Sequence, residues 1–476
     1  MWETARDFIE GSRSVKNPIH RKHYLPMPEG MSESEYNNYV ERAEFSPFAT
    51  RTWEGVLGLM FSKDMQRNIP DKFNQYLDNV DGKGRDIYKF IKDVTSDCAI
   101  TGWGGCLLDA PNGEDMSLLQ AEQEGVLPYI TFYQAEKIIN VQTKNIGRKE
   151  VVVRIVIKES EEISTTDPYV TETKDRYKVL EINTDESLGH VGKFKLSVLD
   201  ESYRLISENY PKMFGEEINF IPFFFMCNTE PVIPMFMPVI DVNKAWYHKS
   251  ADYENGLHWT GCPTPICIGY TPETMMNEEG QEVPKYDLKL GGSKVVFFPQ
   301  GVNDVRYLEF NGAGLSQLSK GMQEDEERMA ILGARIISSE RKGIESAETA
   351  RIHRASENSV IATFATEVSK IFSNILYWYL SWSVGYPIED EIKIQINTDY
   401  DISTMTPQEL TTLVSAWQSG AIDKSILFKN MQKGELIDNS DTFEKMQERI
   451  QIEKEEKFQN DLELQKTLQG NFGNDI

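Results

Sequence analysis

An α+β fold is what this sequence predicts, on three observations. Between Pro128 and Asn228 strand patterns follow one another with no long helical period between them: YITFYQ, VVVRIVIKES, DRYKVLEIN, GKFKLSVLD and INFIPFFFM. Helical periods dominate on either side of that block. Of the 476 residues, 40% are apolar, enough for one or more buried cores and far from the composition of a disordered chain. Strands joined directly to strands make an antiparallel sheet, because a parallel pair needs a long crossover between its members.

Each element follows from a local pattern. SESEYNNYVERAEF reads as a helix from Ser32, and a break at Ser46-Pro47 separates it from FATRTWEGVLGLMF, where Trp53, Val56, Leu57 and Met60 share a face. RDIYKFIKDVTSDCAITG is a further helix. It runs into GWGGCLLDAPNG, where Gly102, Gly104 and Gly105 lead to a short strand, Cys106 to Leu108, closed by a Pro-Asn-Gly turn. Beyond the strand block and the proline-rich PVIPMFMP, residues 239–260 put Val242, Trp246, Tyr253 and Leu257 on one stripe, stopped by Gly261 and Pro263. Strands and turns fill the segment to Gly312. The next helix, from about Gly314 to Ile337, carries Leu315, Leu318, Met322, Asp325, Met329, Leu332 and Ile336 at alternating steps of three and four, a heptad seam with one polar slot. Ser346 caps a helix with Glu348 in its first turn, predicted to run unbroken to Val384 and to extend about 57 Å. One strand, EIKIQINTD, precedes a helical C-terminal region that ends in a disordered NFGNDI.

Charge and cysteine usage narrow the function classes. With 75 acidic against 50 basic residues the formal net charge is -25, which argues against a protein that coats nucleic acid or lies on an anionic membrane. The five cysteines are odd in number and irregularly spaced, so neither a disulfide framework nor a zinc motif is expected, and a reducing cytoplasm is. MWETARDFIEG lacks the basic and apolar regions of a signal peptide, and prolines interrupt the most apolar runs, FIPFFFMCN and PVIPMFMPVI.

Motifs with chemistry are scarce. GWGG and NGAG fit neither phosphate-binding glycine pattern in its strand-to-helix context. His248 and His258 lie ten residues apart on one helix and read as surface residues, and no H-E-x-x-H or G-x-S-x-G occurs. No catalytic residue, metal ligand or cofactor site is expected. Tyr377, Trp378, Tyr379 and Trp382 read as core or interface packing rather than a base-stacking platform, because basic residues are not interleaved with them. Against the acidic background, residues 333–358 gather Arg335, Arg341, Lys342, Arg351 and Arg354 around a Lys342-Gly343 turn.

In their order these parts resemble the portal proteins of tailed double-stranded DNA bacteriophages. The motifs that carry the resemblance are K-x-W-Y-H-x-S-A-D-Y-E-N-x-L-H from Lys244 to His258, GWGGCLLDAP at 102–111, LEFNGAGLSQLSKGMQEDEERMAILGARII at 308–337 and WQSGAIDKS at 417–425. The resemblance implies a non-enzymatic ring, usually of twelve subunits, at one capsid vertex of a virion assembled in the host cytoplasm. Double-stranded DNA passes through such a ring transiently and without sequence readout. Its other partners are the terminase packaging motor, major capsid and scaffolding proteins and tail adaptor proteins, with no membrane.

By position, residues 1–237 and 348–402 resemble the wing, the second part being the long helix and return strand. Residues 238–260 and 314–337 resemble two stem helices, 261–313 the clip, 338–347 the tunnel loop and 403–476 the helical crown and tail. The resemblance assigns DNA contact to Ser339, Arg341, Lys342 and Gly343, and motor or adaptor docking to a clip tip at Asn277, Glu278, Glu279 and Gln281. Glu324, Asp325, Glu326 and Glu327 would line the channel, where an anionic wall repels phosphate and lets DNA slide. Arg335, Arg351 and Arg354 would form pairs between subunits with Glu340, Glu345 or Glu348. A head-tail adaptor ring is the nearest alternative, though adaptors are shorter and lack a wing-sized sheet. An acidic cytoplasmic hydrolase is the other, and no catalytic constellation favours it.

Overall fold

The computed structural model describes residues 1–110, 127–164, 169, 171–185, 190–269, 274–276, 280, 282–284, 296–298, 304–308, 312–337, 360–398, 400, 407–418, 421–433, 442–443 and 445–452. The chain divides into two units, Met1–Asp399 and Tyr400–Ile476. Outside the described residues lie the predicted Pro-Asn-Gly turn, the predicted long helix before residue 360, and the tail from residue 453 with NFGNDI.

The first unit opens with short helices. α1 (Trp2–Glu10) buries Ala5, Phe8 and Ile9, and α2 (Ser12–Val15) and α3 (Arg21–Tyr24) are single turns that bury Val15 and Tyr24. α4 (Glu33–Arg42) begins on a capping box in which Ser32 and Glu35 satisfy each other's backbone N–H groups. α5 (Phe48–Met60) follows the Ser46-Pro47 break and buries Ala49, Val56, Leu57 and Met60, while Trp53 is half-buried. β1 (Gln66–Asn68) and a 3-10 turn at Asp71–Tyr76 lead to α6 (Ile87–Thr101), capped by the Asp86 carboxylate on the Lys89 N–H. Gly102 ends α6 at φ 70°, and a Cβ there would stand 2.9 Å from the Val232 carbonyl oxygen.

The glycines of GWGG therefore answer to packing. β2 (Gly104–Asp109) is buried throughout, the centre of a three-stranded antiparallel sheet between β3 (Tyr129–Gln134) and β11 (Phe223–Met226). A Cβ on Gly105 would come within 2.2 Å of the Phe223 ring. The second sheet runs in chain order and is antiparallel throughout: β4 (Ile138–Ile146), β5 (Lys149–Ser164), β6 (Thr171–Asp185), β7 (His190–Leu199) and β8 (Leu205–Asn209). Ile155, Ile157, Leu180 and Phe194 from this sheet share one core with Trp103, Leu107, Tyr133 and Phe223. β9 (Lys212–Met213) and β10 (Glu216–Glu217) form a small ribbon. INFIPFFFM contributes only Phe223–Met226 as strand, because Pro222 has no N–H to donate.

Two helices bracket the next strands. α7 (Met237–Gly261) begins two residues before and ends one residue after the expected 239–260, and α8 (Leu315–Ile337) starts one residue after the expected Gly314. Between them lie β12 (Thr264–Ile268), β13 (Thr274–Met276), β14 (Glu282–Pro284), β15 (Val296–Phe298) and β16 (Asp304–Leu308). β12 pairs with β15 in parallel and with β16 antiparallel, and β13 with β14 makes a hairpin.

α9 (Val360–Val384) is the central helix of the first unit, burying Phe364, Val368, Phe372, Ile375, Leu376, Tyr379 and Leu380. Its serines serve the returning chain. Ser373 Oγ accepts from the Ile394 N–H and Ser369 Oγ from the Ile396 N–H, each at 3.0 Å, while β17 (Lys393–Gln395) pairs with β1 on its other side. The aromatic end of α9 is covered within this chain. Trp378 lies 4.9 Å from Phe220, Trp378 and Trp382 pack on the sheet core, and the Tyr379 hydroxyl donates to the Tyr76 carbonyl at 2.8 Å. In the second unit, α10 (Pro407–Gln418) is followed by α11 (Lys424–Lys433), where Asp423 accepts from the Ile426 N–H and Phe428 is buried facing Phe443.

Candidate functional site

The inner part of α7 is fixed by polar side chains aimed at the loop between α4 and α5. Asn243, fully buried, accepts from the Ala49 N–H at 3.3 Å and donates to the Ser46 carbonyl at 3.1 Å. Ser250 accepts from the Glu44 N–H and donates to the Glu44 carbonyl, and Tyr39 donates to Asp252 at 2.7 Å. His248 meets the Tyr24 carbonyl through Nε2 and so has a structural partner rather than a free surface. Beyond Ala251 no residue of α7 is buried, and Leu257 and Trp259 are exposed, so the predicted stripe survives at Trp246 but does not reach Leu257.

α8 lies antiparallel on α7, since residue numbers that rise along one fall along the other. Trp246 Nε1 donates to Glu326 Oε1 at 3.0 Å, Lys249 Nζ meets Asp325 Oδ2 at 2.6 Å, and Gly256 faces Leu315, whose Cδ2 would be 2.5 Å from an added Cβ. Towards the inner end of α8, Gly333 is buried with Thr52 of α5, leaving 3.2 Å for a Cβ. The pair is thus rooted in the α4–α5 bundle and carries the strands β12–β16 at its outer end.

This geometry corrects one expected site residue. Asp325 does not face solvent: its side chain is 3% exposed, ion-paired to Lys249 with Arg328 Nη1 at 3.8 Å, because it fills the polar slot of the α8 seam. Glu324 and Glu327 are exposed, Glu324 lying 3.9 Å from Lys320, and Glu326, also exposed, holds Trp246. Lys249 was not singled out from the sequence, although its place three residues after Trp246 puts it beside the seam. Ser339, Arg341, Lys342 and Gly343, and Asn277, Glu278, Glu279 and Gln281, lie outside the described residues.

A second group of ionisable side chains lies beside a cleft of about 660 Å³ lined by residues of α6, β3, β5 and β6. Three of its cations are ion-paired in place: Arg85 on Asp81 at 2.6 Å, Lys158 on Asp175 at 2.6 Å, and Arg176 on Glu161. The Tyr133 hydroxyl donates to Glu159 at 2.5 Å, and Lys178 Nζ lies 3.1 Å from Glu159 and 4.0 Å from Asp109. Burial pushes the Asp109 carboxyl and the Tyr133 phenol above their ordinary ranges. Donors here are matched to acceptors inside the cluster, the arrangement of a structural network. Among the described residues no three His, Cys, Asp or Glu side chains are placed to hold a metal ion, and no helix is long and apolar enough to cross a membrane.

A family model described as a domain of unknown function, DUF4055, matches residues 236–383, the segment from α7 to α9. No curated protein matches the chain. Solved structures that are similar include the neck of an empty gene transfer agent (GTA) particle computed with C6 symmetry and the virion of a native GTA particle, with TM-scores of 0.34 and 0.35. The neck of a native GTA particle computed with C12 symmetry gives 0.32. Each is 10% identical, with 87% of this chain and 97% of the other covered. At that identity and those TM-scores no residue role is transferred from them.

Proposed function

We propose that the chain is a structural subunit of a phage-related head-to-tail assembly, and more narrowly a portal-type subunit that forms a ring around double-stranded DNA. The observation that carries this is the antiparallel pair α7–α8, rooted at its inner end by Asn243, Ser250 and Gly333 and carrying a small β unit at its outer end. That order of parts supports the stem-and-clip reading that the resemblance implies for the same segment. In this reading Glu324 and Glu327 face the channel, Asp325 holds the stem together, and Arg341 and Lys342 approach phosphates. The segment around Asn277 to Gln281 meets the packaging motor or an adaptor.

Electron micrographs of the purified full-length protein test the reading. Rings with an axial hole are expected. A preparation that stays monomeric across the concentrations at which virion components assemble would overturn it.

A further inference from the structure

The sheet β4-β5-β6-β7-β8 has two unpaired edges among the described residues, β4 and β8. Edge strands present unpaired backbone groups and are normally blunted or covered. β8 is neither. It contains no Lys or Pro, and its surroundings concentrate exposed apolar side chains: Tyr203 at 68%, Leu205 at 58%, Ile206 at 49% and Tyr210 at 42%. A row of this kind marks a place where another strand adds.

The opposite edge of the same sheet has the matching character. Each of the two strands has a single charged residue, Glu208 in β8 and Lys144 in β4, of opposite sign and in the C-terminal half. The N-terminal halves are mostly apolar, Leu205 and Ile206 in β8 and Ile138, Ile139 and Val141 around Asn140 in β4, with an irregularity that leaves Ile139 outside the β5 ladder. Apolar half therefore meets apolar half, and Glu208 approaches Lys144, only if the two strands run in the same direction. Strand number requires that same direction. In an antiparallel sheet of five strands the first and last point the same way, so a head-to-tail contact between copies joins them in parallel. Two β8 strands meeting about a twofold axis would run antiparallel instead and set Glu208 against the apolar Ile206.

We propose that β8 of one copy pairs in parallel with β4 of the next, so that the sheet continues from subunit to subunit. The partner's being a second copy rests on the ring reading; the edge chemistry stands apart from it.

The test is cross-linking of full-length protein bearing Ser207→Cys and Gln142→Cys, using a short flexible bismaleimide. Wild type and each single variant measure the background from Cys227, Cys262 and Cys267, which are partly exposed. Within one chain the two positions sit across four strand spacings, about 19 Å, beyond such a linker. Covalent multimers from the double variant, and dimers from a mixture of the two single variants, are expected. Rings in micrographs without these cross-links overturn the edge pairing and leave the ring. Cross-links without rings keep the pairing and overturn the ring. Dimers from Ser207→Cys alone would show two β8 strands facing each other and also overturn the proposal.

Discussion

Gly105 and Asp109 lie on the same buried strand and are constrained for opposite reasons. Gly105 is fixed by shape. Its missing Cβ leaves room for the Phe223 ring, itself buried, so Gly105→Ala forces that ring out of place and costs about 1–3 kcal/mol. Gly55, exposed on α5 with nothing within 4 Å of an added Cβ, is the control, and Gly55→Ala adds up to about 1 kcal/mol. Urea midpoints should move in opposite directions, and no shift for Gly105→Ala would mean that the ring yields freely. Asp109 is fixed by its network. Burial raises its folded pKa, so the folded state holds a proton more readily than the unfolded chain. Its contribution is therefore most favourable below the unfolded pKa and declines as pH rises towards the folded one. Asp109→Asn removes that decline, and Lys178 keeps Glu159 at 3.1 Å. The melting temperature of the variant relative to wild type should rise between pH 4 and pH 7; a difference independent of pH would show that Asp109 titrates normally.

Among the elements, α7 and α8 meet across an apolar seam that holds one buried carboxylate, Asp325 paired to Lys249, beside the Trp246–Glu326 hydrogen bond. A buried ion pair is weak evidence for stability, and its best-attested use is to fix register. Asp325→Ala strands the Lys249 ammonium, but Lys249 is 36% exposed and can turn to water, so the loss should be about 1–2 kcal/mol rather than the larger cost of a fully buried charge. The double change Asp325→Leu with Lys249→Met should restore stability to within about 1 kcal/mol of wild type or exceed it. Amide exchange in α8 should nevertheless quicken, because the lock on register is gone; unchanged exchange would assign the register to Trp246 and Glu326. Sequence periodicity revealed both helices and the polar slot at Asp325, since a heptad seam depends on local spacing alone. It could not decide between seam and channel wall for Asp325, because an acidic run is identical in both settings until a partner such as Lys249, 76 residues away, is seen. β4 and β8 were missed for a related reason: β8 buries no residue and β4 only Ile138, so neither shows the alternation that marked β5. The cover on Trp378 and Trp382 comes from the distant Phe220 and its sheet, which no local pattern displays.

For the whole molecule the governing quantity is the net charge of -25, which a ring multiplies. If DNA slides past this wall, each added cation on it becomes a phosphate contact whose strength falls with salt. Glu324→Lys with Glu327→Lys should leave assembly intact, because both side chains are exposed and neither is in the α7–α8 seam. DNA packaging by particles built from that variant should slow at low ionic strength and recover as salt is raised. If residues 341 and 342 contact phosphates as proposed, Arg341→Ser with Lys342→Ser should act in the opposite sense, so that packaged DNA is retained less well. That deficit should also be greatest at low salt, where the wild-type contacts are strongest. One packaging and retention assay on assembled particles across ionic strengths reads both variants. A slope that changes for the lysine pair alone would place Glu324 and Glu327 on the DNA path and remove residues 341 and 342 from it. Wild-type yields and retention at every salt concentration for both variants would mean that neither set of charges meets DNA, and the channel would have to be sought on another face.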